Sequence, residues 1–466
     1  MKATIRKTEL MLLFWVLAVS FPLTTSAQHT HPSIEPDEMP AQLFQQPALL
    51  NQEIQILKTK QRKKKKASTK KNGTRTNREQ LYIPKTLAPV PIDSSVCAQL
   101  DSALLTFPKG KQGIMPSFAK LSRILQGRHE HLNFIHIGDS HIQADIISGR
   151  IRQNLTSMTP DCSSGRGILF PFHSIGTNGP SDYTISSTGR WAKIWNLEPN
   201  PAHAIGITGA VATTSDASAS LTIDVKQEKW AFSALRILGT SSSGNRIPMV
   251  EADGQQLTAI TDSQPGYLIQ LPADTTRCCI TFSGSGTFDL RGIIPISSHP
   301  GITYSAVGIN GASCPSWIRC EKFEEELALL QPDIAIVALG TNDANARTIN
   351  IESFKANYRR LLNKILAVHP DCFIILTTNP DCYIGSARTW CPTTPQTQQA
   401  FYQLAAEYNA AVFDIFSIQG GSHSTDRWVA AGLQQHDHVH FTIKGYNLLG
   451  DLFFNAFLRS YMEAAK

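Results

Sequence analysis

The stretch Phe134-Ile-His-Ile-Gly-Asp-Ser-His-Ile-Gln-Ala-Asp145 opens as a short apolar run, stops at Gly138-Asp139-Ser140 and passes at once into a helical pattern. It reads as a strand, a tight turn and a helix. In an open parallel sheet, ligands collect outside the carboxyl ends of the strands, so a hydroxyl in such a turn stands where chemistry is usually done. Ser140 is therefore the candidate nucleophile. Taken alone, Gly-Asp-Ser is also ordinary turn and N-cap chemistry, so the rest of the chain has to separate the two readings.

Working outward, Phe118, Leu121, Ile124 and Leu125 lie at helical spacing before the strand, and Cys97 to Leu105 reads as a further helix. After Ser140, the stripe Ile142, Ile146, Ile147 and Ile151 predicts a helix with one buried face. From about Gly165 the texture changes. Tyr183–Ile185, Ala204–Ile207, Leu221–Val225, Leu235–Leu238, Tyr267–Leu271 and Cys279–Phe282 are β-rich and separated by Gly, Ser, Asp and Pro clusters, which predicts a β-sandwich or jelly roll. An α/β pattern then resumes: strands at Ile302–Ile309, Ile334–Leu339, Phe373–Thr378 and Val412–Ile415, with helices at Ile318–Leu330, Ile351–Val368, Gln396–Tyr408 and Thr442–Ala465. Strands alternating with helices imply a parallel sheet covered on both faces. The β-rich part interrupts that pattern, so it reads as an insertion.

The amino terminus has Lys2, Arg6 and Lys7, an apolar stretch from Leu10 to Leu23, and then Thr25-Ser26-Ala27. This predicts a cleaved secretory signal over 1–27; about 14 apolar residues fall short of the roughly 20 that span a bilayer. An exported protein, periplasmic or secreted, without a membrane span in its mature chain is expected. The net charge of +6 is local: eleven of the 43 Lys and Arg residues lie between Lys58 and Arg78, leaving 32 basic against 37 acidic residues elsewhere. Residues 28–91 read as a disordered basic linker. Its lysines could touch an anionic surface, whereas nucleic acid is excluded for want of aromatic or groove-reading motifs. The expected domains are 92–177 and 299–466 as two parts of one α/β unit, with 178–298 inserted. Nine cysteines in an exported chain permit disulfides, with Cys314/Cys320 and the trio Cys372, Cys382 and Cys391 as local pairs.

A hydrolytic serine needs a base, an orienter for that base, and donors where the oxyanion forms. His440 is the candidate base, with Asp437 three residues earlier as its orienter. His436 and His438 are its rivals, and the His-x-His-x-His pattern raises metal binding, but no second ligand cluster accompanies it, so neither metal nor cofactor is assigned. The oxyanion candidates are the backbone N–H groups of Ser140 and Gly311, with Gly308 as the alternative glycine, and the side-chain amide of Asn342. Trp191, Trp195 and Trp230 in the insertion suit either sugar stacking or a core.

Gly138-Asp139-Ser140, Gly311, Gly340-Thr341-Asn342-Asp343 and Asp437-x-x-His440 resemble, in order, the sequence blocks of the SGNH hydrolases, also called GDSL esterases. The resemblance covers about 92–175 and 300–466. It implies a flavodoxin-like three-layer α/β/α fold, Ser140 as nucleophile, Asp437 and His440 completing a triad, and Gly311 and Asn342 in the oxyanion hole. His141 stands where the family has leucine, and it becomes a candidate substrate contact, as do Trp390 and Trp428 in the loops 381–395 and 420–435. The insertion between the first two blocks is similar in layout to peptidoglycan O-acetylesterases. The implied activity is removal of O-acetyl groups from a glycan, foremost peptidoglycan. The alternatives are a deacetylase of plant or host polysaccharide, and a glycan-binding protein with a degenerate hydrolase domain.

Overall fold

The computed structural model describes residues 80–92, 103–260, 262–385 and 388–466. The expected signal segment, the Lys58–Arg78 run and Cys97 lie outside the described residues. The main sheet is built from Leu105–Thr106 (β1), His131–Gly138 (β2), Ser163–Gly165 (β3), Gly301–Gly308 (β4), Ile334–Ala338 (β5), Phe373–Thr377 (β6) and Ala411–Phe413 (β7), in the spatial order β1-β7-β6-β5-β2-β4-β3. Every neighbouring pair is parallel except the edge pair β1–β7. Leaving aside the short edge strand β3, the parallel strands β2, β4, β5, β6 and β7 lie in the order second, first, third, fourth, fifth, which is the flavodoxin-like arrangement. Its switch point falls between β2 and β5. The turns carrying Ser140 and Asn342 leave those two strands.

The strand period of two decides the layers. Phe134 faces Phe118, Phe457 and the helices Met115–Leu125, Ile146–Leu155 and Ile443–Ala464. Ile135 and Ile137 join the opposite core with Trp317, Leu327, Leu361 and Phe401 of the helices on the other face. Each such fully buried side chain contributes about 1.5–3 kcal/mol, so a strand apolar on both faces is stable only when covered twice. Among the described residues, no helix is long and apolar enough to cross a membrane.

Between β3 and β4 the chain forms two antiparallel five-stranded sheets. One runs 255–257, 247–252, 277–283, 220–225, 183–188 in spatial order, and the other 267–275, 232–244, 286–296, 210–214, 192–195. Ile185, Ile223, Val250 and Ile280 of the first share one apolar cluster with Leu235, Ile237, Phe288 and Leu290 of the second. The expected strand Ala204–Ile207 does not form. That segment is held instead by the Ile207 N–H, which donates to Glu326 Oε2 at 2.9 Å, while Arg291 donates to the other carboxylate oxygen at 2.5 Å.

A buried charge network joins the start of these strands to the helix after the nucleophile. Arg152 bridges Asp145 and Asp182 at 2.8 Å each, and Arg166 reaches both carboxylates as well. Burial opposes the charge of Asp182, but the two arginines win and hold its carboxyl down to about 2. Removing one member leaves charges buried and unpaired, so Asp145→Ala is expected to destabilise the fold by about 3–5 kcal/mol, read from the urea midpoint.

Two corrections concern the amino-terminal side. Residues 80–91, expected within the linker, are docked on the α/β unit. Leu81 and Leu87 are buried, the Tyr82 N–H donates to Ser122 Oγ at 2.7 Å, and Val90 exchanges hydrogen bonds with the Asn455 amide. Leu105, expected to end a helix, begins β1 and pairs with Phe413. Both segments read as polar or mixed because their few apolar residues act singly against distant partners, without a local period.

Candidate active site

Ser140 is the first residue of the one-turn helix Ser140–Gln143, and Asp139 caps it by accepting the His141 N–H at 3.0 Å. Position N1 of a helix has no intrahelical acceptor for its N–H, so the Ser140 amide suits an oxyanion donor. Ser140 Oγ lies 2.8 Å from His440 Nε2, and His440 Nδ1 lies 2.7 Å from Asp437 Oδ2. Three hundred residues of chain separate Ser140 from His440. The Asp437–His440 spacing works through a turn and not a helix. Asp437 Oδ1 accepts the N–H groups of Val439 and His440 at 2.9 and 3.0 Å, an Asx-type closure that leaves Oδ2 for the imidazole.

The electrostatics follow from these contacts. Burial opposes the charge of Asp437, yet hydrogen bonds from His440 and the two backbone amides lower its carboxyl to about 2. Burial would lower His440, but the hydrogen bond and charge of Asp437, with Asp139 behind it, outweigh that and raise its pKa. Asp139 is fully enclosed, and burial raises its carboxyl to about 7.

Gly311 has φ +82°, a left-handed conformation that disfavours any side chain, and it is exposed, next to Asn310, whose N–H is held by Gln143 of the nucleophile helix. Gly308 is placed differently. It is buried against the nucleophile helix, where an added Cβ would come within 2.6 Å of the Gln143 nitrogen, so it serves packing. The Asn342 amide donates to Ala312 O at 2.9 Å and to Asp139 Oδ2 at 3.3 Å. The second bond is the longer, which leaves that amide hydrogen the less tightly held of the two. Asn342→Ala is expected to lower kcat by about 10²–10³ with little change in KM, measured on a p-nitrophenyl ester.

His141 is held by protein contacts through its Nδ1 and ring face, while its Nε2 has no partner among the described residues. Its Nδ1 is 2.9 Å from the Tyr446 hydroxyl, its ring packs against His440, Phe441 and Tyr446, and burial lowers its pKa to about 3, which keeps it neutral beside the base. His436 is exposed, while His438 stacks on Tyr383 with centroids 4.3 Å apart and pairs with Asp426. Neither competes for Ser140. Trp428 is 5% exposed, donates to Gln419 O at 2.9 Å and packs on Phe441, so the expected substrate contact there is corrected to a core role. Trp390 is half-buried, anchored by its Nε1 to Asp381 at 2.7 Å and stacked on the exposed His423. In the insertion Trp230 is buried, while Trp191 and Trp195 stay half-buried.

Two residues at the site had no signal in the sequence. Gln143 accepts the Asn310 N–H at 2.6 Å and donates to Thr177 Oγ1 and Asn178 O at 2.8 Å each, tying the nucleophile helix to the loop that presents Gly311. Leu197, 40% exposed, brings its methyls to 3.6 and 4.0 Å from where a Gly311 Cβ would stand. It sits on a turn of the inserted strands fixed by Asn196 N–H to Gly209 O and by Arg319 to Asn196 O.

Residues 296–448 match the family model described as the GDSL-like Lipase/Acylhydrolase family. A solved structure titled "Peptidoglycan O-acetylesterase in action, 5 min" superposes with a TM-score of 0.64 at 21% identity, covering 77% of this chain and 99% of that one. A lipase/acylhydrolase from Enterococcus faecalis gives 0.27 at 21% identity over 34% of this chain and 77% of that one. A family two carbohydrate esterase from Cellvibrio japonicus gives 0.26 at 15% over 61% and 100%. No curated protein sequence matches the chain.

Proposed function

We propose that this chain, which carries a GDSL-like acylhydrolase domain and is a carboxylic ester hydrolase, is an exported enzyme that removes O-acetyl groups from a glycan, foremost peptidoglycan. The observation that carries the reading is the continuous hydrogen-bonded series Ser140 Oγ, His440 and Asp437 at 2.8 and 2.7 Å. Ser140 Oγ attacks the acetyl carbonyl while His440 Nε2 takes its proton, and Asp437 holds the resulting imidazolium. The oxyanion is received by the N–H groups of Ser140 and Gly311 and the Asn342 amide. His440 then returns the proton to the departing sugar oxygen. In the second half, water gives a proton to His440 and attacks the acetyl-enzyme, and His440 returns that proton to the departing Ser140 Oγ as acetate leaves.

A small acyl group is supported by the side chain that stands beside Gly311. We read the two inserted sheets as a β-sandwich, placed over roughly 178–298, whose Leu197 limits the space at the oxyanion glycine. The shared fold with the O-acetylesterase structure supports this, since 77% of the chain is more than everything outside the insertion. Leu197→Ala is expected to narrow the preference for acetyl over butyryl esters by about tenfold, as a ratio of kcat/KM values. The substrate class is tested by acetate release from acetylated peptidoglycan, acetylated xylan and a long-chain acyl ester, with Ser140→Ala as control. Preference for the long chain would sink the glycan reading, and preference for xylan would move the enzyme to plant polysaccharide.

A further inference from the structure

Of the cysteines flagged as local pairs, one couple stands face to face. Tyr383–Ile384 and Thr389–Trp390 form a small antiparallel hairpin in the register Tyr383↔Trp390, so Cys382 and Cys391 are the next opposed pair outward. The Cys391 N–H donates to Cys382 O at 2.9 Å. Hydrogen-bonded opposed residues of an antiparallel pair have Cα atoms about 5.5 Å apart, inside the range of roughly 4.4–6.8 Å that a cystine spans. Both side chains are buried, they hydrogen-bond to one another, and with Ile384 they form a separate apolar cluster against Val439. The other expected partners lie elsewhere. Cys320 bonds to Ser316 O within its own turn, the Cys314 N–H is held by Asp343, and Cys372 precedes β6 and belongs to another apolar cluster.

We infer that Cys382 and Cys391 join as a cystine that locks this hairpin against the two loops carrying the candidate catalytic groups. On one side the Tyr383 N–H donates to His438 O and Arg388 to His436 O, both at 3.0 Å, within the turn that holds Asp437 and His440. On the other, Cys391 Sγ lies 3.6 Å from Ala344 O, two residues past Asn342. The thiols are unequal. In the folded arrangement the hydrogen bond from Cys382 lowers Cys391 to about 5 and pushes Cys382 well up.

The oxidant is a low-molecular-weight or protein disulfide. Cys391 thiolate attacks one of its sulfurs, forming a mixed disulfide and expelling one thiolate. Cys382 gives its proton to solvent and attacks Cys391 Sγ, forming the Cys382–Cys391 bond and expelling the second thiolate. Two electrons pass to the oxidant, and two protons leave the protein thiols. Because both sulfurs are buried, the reaction belongs to folding, before Val439 closes over the pair.

The test refolds the full chain with glutathione disulfide, alkylates it in denaturant and maps the peptides by mass. The expected result is one cross-linked peptide pair joining Cys382 to Cys391. Full alkylation of both, or an equal scatter of other linkages, overturns the inference. This readout is independent of the esterase reading. In a parallel assay, wild type refolded under reductant should turn over a p-nitrophenyl ester several-fold more slowly than the oxidised form, while the Cys382→Ser/Cys391→Ser variant should show one rate under both conditions. Equal redox sensitivity in the variant would also refute it.

Discussion

Ser140→Ala is expected to lower kcat by about 10⁶ and to leave the fold intact. The size follows from the arrangement of a unit. In the proposed mechanism Oγ is the attacking atom, His440 acts only by taking its proton, and Asp437 acts only through His440, so the group would fail together when its first member is removed. His440→Ala should therefore cost about as much, and the double variant little more than either. A residual rate of about 10³ over water should persist, because the proposed oxyanion donors Gly311 and Asn342 remain in place. Ser140 Oγ is partly exposed and its side-chain partner is His440, so the melting temperature should move by less than a degree or two. Acetate release by the purified variant, with circular dichroism as the folding control, decides the matter. Activity within tenfold of wild type would assign the nucleophile elsewhere.

Asp437→Asn should lower kcat by about 10⁴, through the wrong imidazole tautomer, and should also move the pH profile. His440 must be neutral to accept the serine proton, so kcat/KM rises as pH climbs through its pKa. That pKa is raised: burial pulls it down, but the Asp437 hydrogen bond and charge and the Asp139 charge pull it up further. The acid limb of the wild type should thus lie above about 6.5, the ordinary histidine value. Asp437 itself, held at about 2, stays ionised throughout that limb. In the variant the main raising contribution is gone while burial remains, so the limb shifts to lower pH. The linkage has the matching sign. A raised histidine contributes stability that is complete below its unfolded value and lost as pH rises through its folded value. The stability lead of wild type over Asp437→Asn should accordingly be larger at pH 5.5 than at pH 8.5, and an unchanged lead would show that the ion pair contributes nothing.

How much of the site could be read in advance differs residue by residue. Ser140, Gly311, Asn342, Asp437 and His440 each follow a strand or precede the last helix, and their types carry the chemistry, so their order along the chain was enough to nominate them. Trp390 and Trp428 were nominated on type and loop position alone, and the structure separates them. Trp428 is buried under the turn that holds the triad, and Trp390 stays half-buried beside His423. An aromatic ring serves a core or a ligand equally well, and only its surroundings tell which. His141 was read as facing substrate because it neighbours Ser140, but Tyr446, three hundred and five residues away, holds its ring instead.

What the sequence determined by itself is local and periodic. The apolar run and turn at 134–140, the helical stripes, the change of texture near Gly165 and the resumed alternation after about 300 specify a parallel α/β sheet with a β-rich interruption. Strand and helix periods are short-range properties of the chain, so they survive without any tertiary information. Only the tertiary structure decided which distant groups meet: Gln143 with Asn310, Leu197 against Gly311, Cys382 opposite Cys391, and residues 80–92 on the last helix. Each is a contact between segments whose own patterns are indifferent to it. Loop and turn residues carry no period, and their partners are chosen by where the packed elements leave them.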